Sequence, residues 1–217
     1  LNNNLGHLSS TLTTLPILEY IFENNNLEDY VILSNGHAGL ALYTILEKIY
    51  GHDAQKMYED FGIHPYRDVK RHVYASTGSL GSGILLATGM ALGNKNKQIH
   101  CVISDGESHE GSVWEALSFI NRNNIQNINV YVNMNGYCAY DTIDQEYLKT
   151  LKNQSQHKVI YVVRDKLNPL MASNPVVIEF QSYLPVFNLM SVPIYTVVFL
   201  IILVLIFQKI YKNNPYQ

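Results

Sequence analysis

The sequence predicts an α/β fold with a mostly parallel sheet and helices on both of its faces. Two short apolar runs, residues 100–103 and 128–132, flank an amphipathic segment that has the pattern of a helix. Strands joined by a helical crossover of this kind must lie parallel. Two further β-type runs, residues 159–163 and 176–180, follow later in the chain. Four strands with intervening helices form an open sheet that helices cover.

Three other segments have the composition or the spacing of helices. Residues 8–24 and 38–50 carry Leu, Ile and Tyr at three- and four-residue steps. The cluster Ser34-Asn35-Gly36-His37 is interpreted as a cap and turn before the second of these helices. Residues 84–93 are rich in Ala, Leu and Gly, and the run TGSLGSG at 77–83 opens this third helix. Such a run lets a backbone approach a phosphate closely, although ordinary tight turns have the same composition.

The composition favours one α/β domain with a sizeable core and an appendage. The chain has 217 residues and a net charge of −3, and its basic residues are scattered, which argues against binding to nucleic acid. Cys101 and Cys138 form neither a disulfide framework nor a CxxC motif. Cys101 lies in an apolar run and is predicted to be a buried thiol in a reducing compartment. Because the chain opens at Leu1 rather than Met, we expect a longer native N-terminus.

The carboxyl-terminal tail does not read as part of a soluble domain. No charged residue occurs from Phe180 to Gln208, and Val192–Phe207 is almost wholly apolar. A helix that spans a bilayer needs roughly 20 apolar residues. We therefore expect a domain at 1–182 and a tail at 183–217 with a transmembrane helix at about 189–208. A hydrophobic interface or a non-native sequence end is the alternative.

Basic residues on both sides of this span leave its orientation undecided. We expect the protein at the cytoplasmic face of a membrane, or in the cytoplasm if the tail does not anchor it.

Two oxygen-bearing side chains are predicted to share one edge of the sheet. Asp105 follows the first apolar run and Asn135 follows the second. The carboxyl ends of parallel strands are where open α/β sheets bind ligands. A carboxylate and an amide oxygen suit Mg²⁺, which usually keeps a phosphate oxygen in its coordination shell. The simpler alternative is a pair of ordinary turns, because Asp-Gly and Asn-Gly are common turn sequences.

Several short motifs also occur in a specific order along the chain. They are Gly6-His7, SNGH (34–37), His64-Pro65, TGSLGSG (77–83), SDGESHEG (104–111) with WEA (114–116), and Asn135-Gly136. Together they resemble the cofactor-diphosphate domain of transketolase, a thiamine diphosphate enzyme, from about Leu5 to about Phe180. The resemblance is to the split form in particular, in which this domain has its own polypeptide. It implies the thiamine diphosphate-binding fold.

The resemblance implies a site for thiamine diphosphate and a divalent cation, which is Mg²⁺ or, in its place, Ca²⁺ or Mn²⁺. It assigns the metal to Asp105, Asn135 and the backbone carbonyl of Tyr137. Gly106 is implied to leave space for a phosphate oxygen, and Glu110 matches an acidic residue that links the cofactor sites across a dimer. The other residues implied to bind the cofactor are His37, Gly78, Ser79 and Leu80.

The resemblance also implies that His7, His37 and His64 are catalytic and line the cleft near the thiazolium ring and the sugar substrate. Imidazole titrates near neutrality and can exchange protons with substrate hydroxyls. The expected reaction is transfer of a two-carbon ketol unit between sugar phosphates. In the family, a second domain supplies the glutamate that activates the cofactor. We therefore expect a separate pyrimidine-binding subunit, corresponding to the C-terminal part of transketolase, in a dimer of heterodimers.

Departures from the family pattern leave a second function open. Ser104 stands where the family has a glycine, the residues after Asn135 fit only with one insertion, and the apolar tail stands where the family's final loop is expected. A catalytically inactive or truncated, membrane-tethered homologue that binds a partner or the cofactor is the alternative. His109 and Trp114 are interpreted as structural or peripheral. Deoxyxylulose phosphate synthase and the 2-oxo acid dehydrogenases match the motifs less well than transketolase.

Overall fold

The computed structural model describes residues 7–135, together with the backbone of the strands at 159–163 and 176–178. Contacts within the chain divide it into Leu1–Ser182 and Tyr183–Gln217. The predicted tail and its transmembrane helix at 189–208 lie outside the described residues. In the part of the chain that is described, no helix is both long enough and apolar enough to cross a membrane.

The described strands form one sheet whose spatial order follows the order of the sequence. They are β1 (Tyr30–Leu33), β2 (Ile99–Ser104), β3 (Ile128–Met134), β4 (Val159–Val163) and β5 (Val176–Ile178). The pairs from β1 to β4 are parallel, and β5 pairs antiparallel with β4. The prediction of a mostly parallel sheet is confirmed. Strand β1 was not predicted, because four residues are too few to show a period.

The helices pack against this sheet and carry most of the remaining described residues. They are α1 (Leu8–Asn24), α2 (Gly39–Tyr50), α3 (Ala54–Phe61), α4 (Ser82–Gly93) and α5 (Gly111–Arg122). The helices predicted at 8–24, 38–50 and 84–93 are therefore confirmed, with small changes at their first residues. Helix α3 was not predicted, although Ala54, Met57, Tyr58 and Phe61 follow the helical spacing of three and four residues. With eight residues, the helix is shorter than the window of about 11–18 residues over which such a period is recognised.

The cluster Ser34–His37 does not cap α2, contrary to the prediction. It follows β1 directly, and neither Asn35 nor Ala38 makes a side-chain cap at the helical turns that begin there. The polar side chains bond across the fold instead. Ser34 Oγ donates to Glu107 at 2.7 Å, and Asn35 Nδ2 donates to Thr14 Oγ1 at 3.0 Å. The cluster therefore connects the end of β1 to two other segments at the same edge of the sheet.

The core occupies both faces of the sheet, as the predicted fold class requires. On one face Cys101, Ile103 and Val132 pack among buried side chains of α4 and α5. On the other face Val102 and Tyr131 pack among buried side chains of α1, α2 and α3. Strands buried on both faces read as continuous apolar runs, which explains why β2 and β3 stand out in the sequence. The predicted burial of Cys101 is confirmed, and burial raises the pKa of its thiol.

His100, in β2, is expected to make the fold sensitive to acid. Its Nδ1 lies 3.1 Å from the Tyr131 hydroxyl, and burial lowers its pKa to about 4. The unfolded chain takes up this proton near pH 6.5, so protonation stabilises the unfolded state as the pH falls from there towards 4. This lowers the free energy of unfolding by about 3 kcal/mol across the window. The loss is complete only below the folded pKa, and the contribution is fully present above pH 6.5.

Urea unfolding of the wild type and of His100→Gln, at neutral pH and near pH 4.5, measures this contribution. The glutamine can still bond the Tyr131 hydroxyl but does not titrate, so the variant should lose less stability on acidification. Equal losses in the two proteins would show that another group causes the acid sensitivity.

Candidate functional site

Loops that are distant in sequence meet at the carboxyl edge of the parallel strands. A Cβ at Gly36, after β1, would lie 2.7 Å from the backbone nitrogen of Gly78, before α4. A Cβ at Gly78 would lie 2.9 Å from the ring of His64. A Cβ at Gly81 would lie 3.0 Å from the Cβ of Glu110, after β2. The structure therefore brings four of the predicted motifs together in one place.

Asp105 and Asn135 lie at neighbouring strand ends, as predicted. Ser104 of β2 pairs with Asn133 of β3, so Asp105 is the first residue beyond its strand, and Asn135 is the first beyond the next. Asp105 is fully buried, its Oδ1 accepts from the Gly106 amide at 3.0 Å, and its own amide donates to the Asn133 carbonyl at 3.1 Å. Both residues are thus held at one edge of the sheet.

The donor atoms at this edge fit a hard divalent cation. Asp105 and Asn135 offer carboxylate and amide oxygens, which Mg²⁺ and Ca²⁺ prefer to nitrogen or sulfur. Among the described residues there is no group of three or more His, Cys, Asp or Glu that could hold a metal ion. The predicted ligand set contains only one residue of those types. Its third member, Tyr137, lies outside the described residues, so that assignment stays a prediction.

The three histidines predicted to be catalytic form one cluster. The rings of His7 and His37 lie 5.1 Å apart between centroids, and His64 borders Gly78. Burial lowers the pKa of His37, and the positive charges that His7 and His64 can carry lower it further. His37 therefore stays neutral at neutral pH, and a neutral imidazole can accept a proton from a hydroxyl.

We expect replacement of His64 by glutamine to raise the pKa of His37. The change removes a positive charge that opposes protonation of His37, while the larger contribution of burial remains. An NMR titration of the imidazole protons measures the shift. His52→Gln is the control, because its Nε2 contacts Nδ1 of His72 at 2.8 Å in a separate cluster. Equal His37 titrations in the two variants would show that His64 does not act on His37.

The loop before α4 presents backbone amides in a form suited to an anion. Gly78 has a φ of 144°, which strongly favours glycine. Within the described residues, the amides of Gly78, Ser79 and Leu80 donate no hydrogen bond, whereas the Gly81 amide donates to Glu107 at 2.9 Å. Successive backbone amides in a turn before a helix N-terminus can form an anion-binding concavity. This arrangement supports the predicted contacts of the three residues with a diphosphate.

Glu107 is a residue of this site that sequence reasoning missed. It is fully buried in the turn after β2. Its Oε1 accepts from Ser34 Oγ at 2.7 Å and from the Gly81 amide at 2.9 Å, and its Oε2 accepts from the Ser104 amide at 3.0 Å. Burial raises the pKa of Glu107, and these hydrogen bonds oppose that shift. The only sequence signal was its position two residues after Asp105.

Ser104, which stands where the family pattern has a glycine, is accommodated by the same turn. Its Oγ accepts from the Glu107 amide at 3.1 Å, while its own amide donates back to the Glu107 carboxylate. The serine therefore adds a hydrogen bond to the turn rather than disrupting it.

Glu110, His109 and Trp114 surround the start of α5. Glu110 directly precedes the helix but makes no side-chain cap, and it borders Gly81. Trp114 Nε1 donates to the Ser108 carbonyl at 2.9 Å, in agreement with the interpretation that it is structural, and His109 is exposed. The predicted role of Glu110 across a dimer stays a prediction.

Helix α1 is attached to the same edge by a buried polar network. Thr14 Oγ1 accepts from the side-chain amides of both Asn35 and Asn133, and Thr13 Oγ1 accepts from Asn133 as well. These bonds hold the helix that begins next to His7 against the ends of β1 and β3. Sequence reasoning missed the network, because its members are separated by up to 120 residues.

Comparison with known proteins identifies the family that the motifs of this site resemble. The family model described as 1-deoxy-D-xylulose-5-phosphate synthase matches residues 1–186. Transketolase-like protein 2 of Mus musculus is 38% identical over 111 residues, covering 46% of this chain and 18% of that protein. The 6-deoxy-6-sulfo-D-fructose transketolase subunit SqwG of Clostridium sp. (strain MSTE9) is 32% identical over 152 residues, covering 60% of this chain and 55% of that protein. The chain thus spans about a fifth to about a half of these relatives.

Solved structures agree on the fold. The transketolase of Campylobacter jejuni superposes with a TM-score of 0.54 at 20% identity, covering 71% of this chain and 33% of that one. The transketolase of Leishmania mexicana superposes with a TM-score of 0.51 at 21% identity, covering 68% and 24%. Because the family model covers most of its length and its relatives are transketolases, the chain belongs to the family of thiamine diphosphate-dependent enzymes that includes transketolase and 1-deoxy-D-xylulose-5-phosphate synthase.

Proposed function

We propose that this chain is a transketolase-like subunit that binds Mg²⁺ and the diphosphate of thiamine diphosphate. Its proposed reaction is the transfer of a two-carbon ketol unit between sugar phosphates. The observation that carries the proposal is the convergence, at one sheet edge, of the buried Asp105, the histidine cluster and the amides of Gly78–Leu80. Ordinary turns would not require these groups to meet.

Each part of the edge has a role that suits its chemistry. Asp105, Asn135 and the Tyr137 carbonyl would hold the cation, and the amides of Gly78, Ser79 and Leu80 would bind diphosphate oxygens. When bound, thiamine diphosphate supplies a carbon that can carry carbanion chemistry on a ketose.

The histidines would handle protons of the sugar hydroxyls. The neutral His37 can accept a proton, and His7 lies beside it as a second imidazole able to pass that proton on. His64 lies against Gly78, which places an imidazole next to the proposed diphosphate site. This arrangement keeps proton transfer separate from cation binding, which the oxygen donors perform.

We propose further that a separate pyrimidine-binding subunit completes the site and that two such heterodimers associate, with Glu110 linking their cofactor sites. Large apolar side chains that are exposed on α4, on α5 and in the loop before α4 support this proposal. They are 40–45% exposed, and they are Leu80, Leu85, Leu86, Leu92 and Phe119. Exposed apolar side chains of this size are available for burial against a partner. The SqwG relative is itself described as a transketolase subunit.

The experiment that tests the proposal is an assay of two-carbon transfer between sugar phosphates. The full chain is purified alone and together with a pyrimidine-binding transketolase subunit, and activity is expected only from the pair. Full activity from the isolated chain would refute the half-site proposal. If the pair prefers pyruvate to ketose phosphates, its reaction would instead be that of deoxyxylulose phosphate synthase.

A non-catalytic, membrane-tethered homologue is the second candidate function. The apolar sequence at 189–208 favours it, as does Ser104 in place of the family's glycine. Mg²⁺-dependent binding of thiamine diphosphate without turnover in any assembly would support this candidate. From the tail sequence alone we also propose location at the cytoplasmic face of a membrane. Recovery of the full chain in the soluble fraction of lysed cells would contradict that location.

A further inference from the structure

We propose that Glu107 is a positioning residue for the diphosphate. Its buried carboxylate holds the loop before α4 against the turn after β2, so that the amides of Gly78, Ser79 and Leu80 keep the arrangement that binds an anion. The identity of the anion rests on the proposed function, whereas the hydrogen bonds of Glu107 do not.

The hydrogen bonds of Glu107 join three separate segments. Ser34 follows β1, Gly81 precedes α4, and Ser104 ends β2, and each donates to the carboxylate at 2.7–3.0 Å. All three donors are neutral. Burying a carboxylate among neutral groups is costly unless several good hydrogen bonds compensate. The three hydrogen bonds offset this cost only while all three segments stay in place, so the carboxylate couples their positions.

A carboxylate suits this position better than a neutral isostere. An ionised carboxylate only accepts hydrogen bonds, and here both of its oxygens meet donors. A glutamine would turn an NH₂ group towards either the Ser104 amide or the pair formed by Ser34 Oγ and the Gly81 amide. One donor would then face another, and that contact would open.

The bond to Gly81 also determines which amides remain for a ligand. Gly81 has a φ of 74° at the last loop position before α4, and its amide is used by Glu107. The three preceding amides donate to no described group. Glu107 therefore anchors the end of the loop and leaves its earlier amides available.

The test compares Glu107→Gln with the wild-type chain and with Glu23→Gln, which makes the same chemical change at an exposed position of α1. Amide hydrogen exchange is measured for peptides that contain Gly81 and Ser104. Exchange at these amides should be at least about tenfold faster in Glu107→Gln only. In the assembled complex, the Kd for thiamine diphosphate at saturating Mg²⁺ should rise about tenfold, while the KM for the ketose phosphate stays unchanged.

Several outcomes would overturn the proposal. They are unchanged exchange at Gly81, a uniform rise in exchange across the whole sheet, and a rise in the KM for the sugar with no change in the Kd for the cofactor. If the wild-type complex binds no thiamine diphosphate, the proposed function fails, and the exchange data still decide whether Glu107 holds the loop.

Ser34→Ala provides a second variant in case Glu107→Gln does not fold. It removes one donor and leaves both backbone amides bonded to Glu107. The increase in the exchange rate at Gly81 should therefore be smaller than in Glu107→Gln and still confined to this region. If Ser34→Ala folds and the exchange rate at Gly81 equals that of the wild type, the result would count against the coupling.

Discussion

Replacing Asp105 by asparagine is expected to weaken Mg²⁺-dependent binding of thiamine diphosphate strongly. The amide keeps an oxygen that can accept from the Gly106 backbone, as Oδ1 does now at 3.0 Å, so the fold should persist. It removes the negative charge that would hold the cation. Loss of a side chain that only orients a metal ligand weakens metal binding by roughly 10–100-fold. Loss of the charge on the ligand itself should therefore raise the Kd for Mg²⁺-dependent cofactor binding by about 100-fold or more.

Calorimetric titration of the full chain with thiamine diphosphate, at saturating Mg²⁺ and after its removal by chelation, measures this effect. Asp53→Asn is the matched control. Asp53 caps α3 by accepting from the Lys56 amide at 2.8 Å, and asparagine caps helices about as well as aspartate. If the two variants bind the cofactor alike, or if chelation leaves wild-type binding unchanged, Asp105 does not hold a cation.

Replacing Gly78 by alanine is expected to destabilise the chain and to disorganise the anion-binding loop. Gly78 has a φ of 144°, a conformation that costs roughly 1–3 kcal/mol in a residue with a side chain. The added Cβ would also lie 2.9 Å from Cδ2 and 3.0 Å from Cγ of the His64 ring, so His64 would have to move. The free energy of unfolding should therefore fall by about 1–3 kcal/mol, with weaker binding of thiamine diphosphate.

Gly89→Ala is the control for this substitution. Gly89 lies within α4, and a Cβ there meets nothing within 4 Å. Alanine favours a helix over glycine by about 1 kcal/mol, so this variant should be slightly more stable than the wild type. Urea unfolding of both variants measures the contrast. Equal changes of the same sign would show that the conformation of Gly78 has no special cost.

Much of the fold could be predicted because its elements carry a local pattern. Helix α1 was predicted at residues 8–24, and the strand at 159–163 was predicted with its observed ends. Strands β2 and β3 are buried on both faces, so their sequences read as apolar runs. Strand β1 and helix α3 were missed because they are short, with four and eight residues, and a period is recognised over longer windows.

The site could be predicted only in part, for a related reason. The positions of Asp105 and Asn135 at neighbouring strand ends follow from the βαβ connection alone. The histidine cluster and the loop before α4 came from the resemblance to a family, since nothing local in the sequence joins them. The cluster at 34–37 was misread as a helix cap, because Ser and Asn serve equally well as caps and as long-range hydrogen-bonding partners.

The sequence by itself determined the period of each long element, the parallel crossover between β2 and β3, and the oxygen chemistry at their ends. These properties depend on neighbours within a few residues. Only the tertiary structure decided the partners of Glu107, whose bond to Ser34 spans 73 residues, and the joint attachment of Asn35 and Asn133 to Thr14. A buried polar side chain is stabilised by whichever donors the fold brings to it, and chain order does not record those donors.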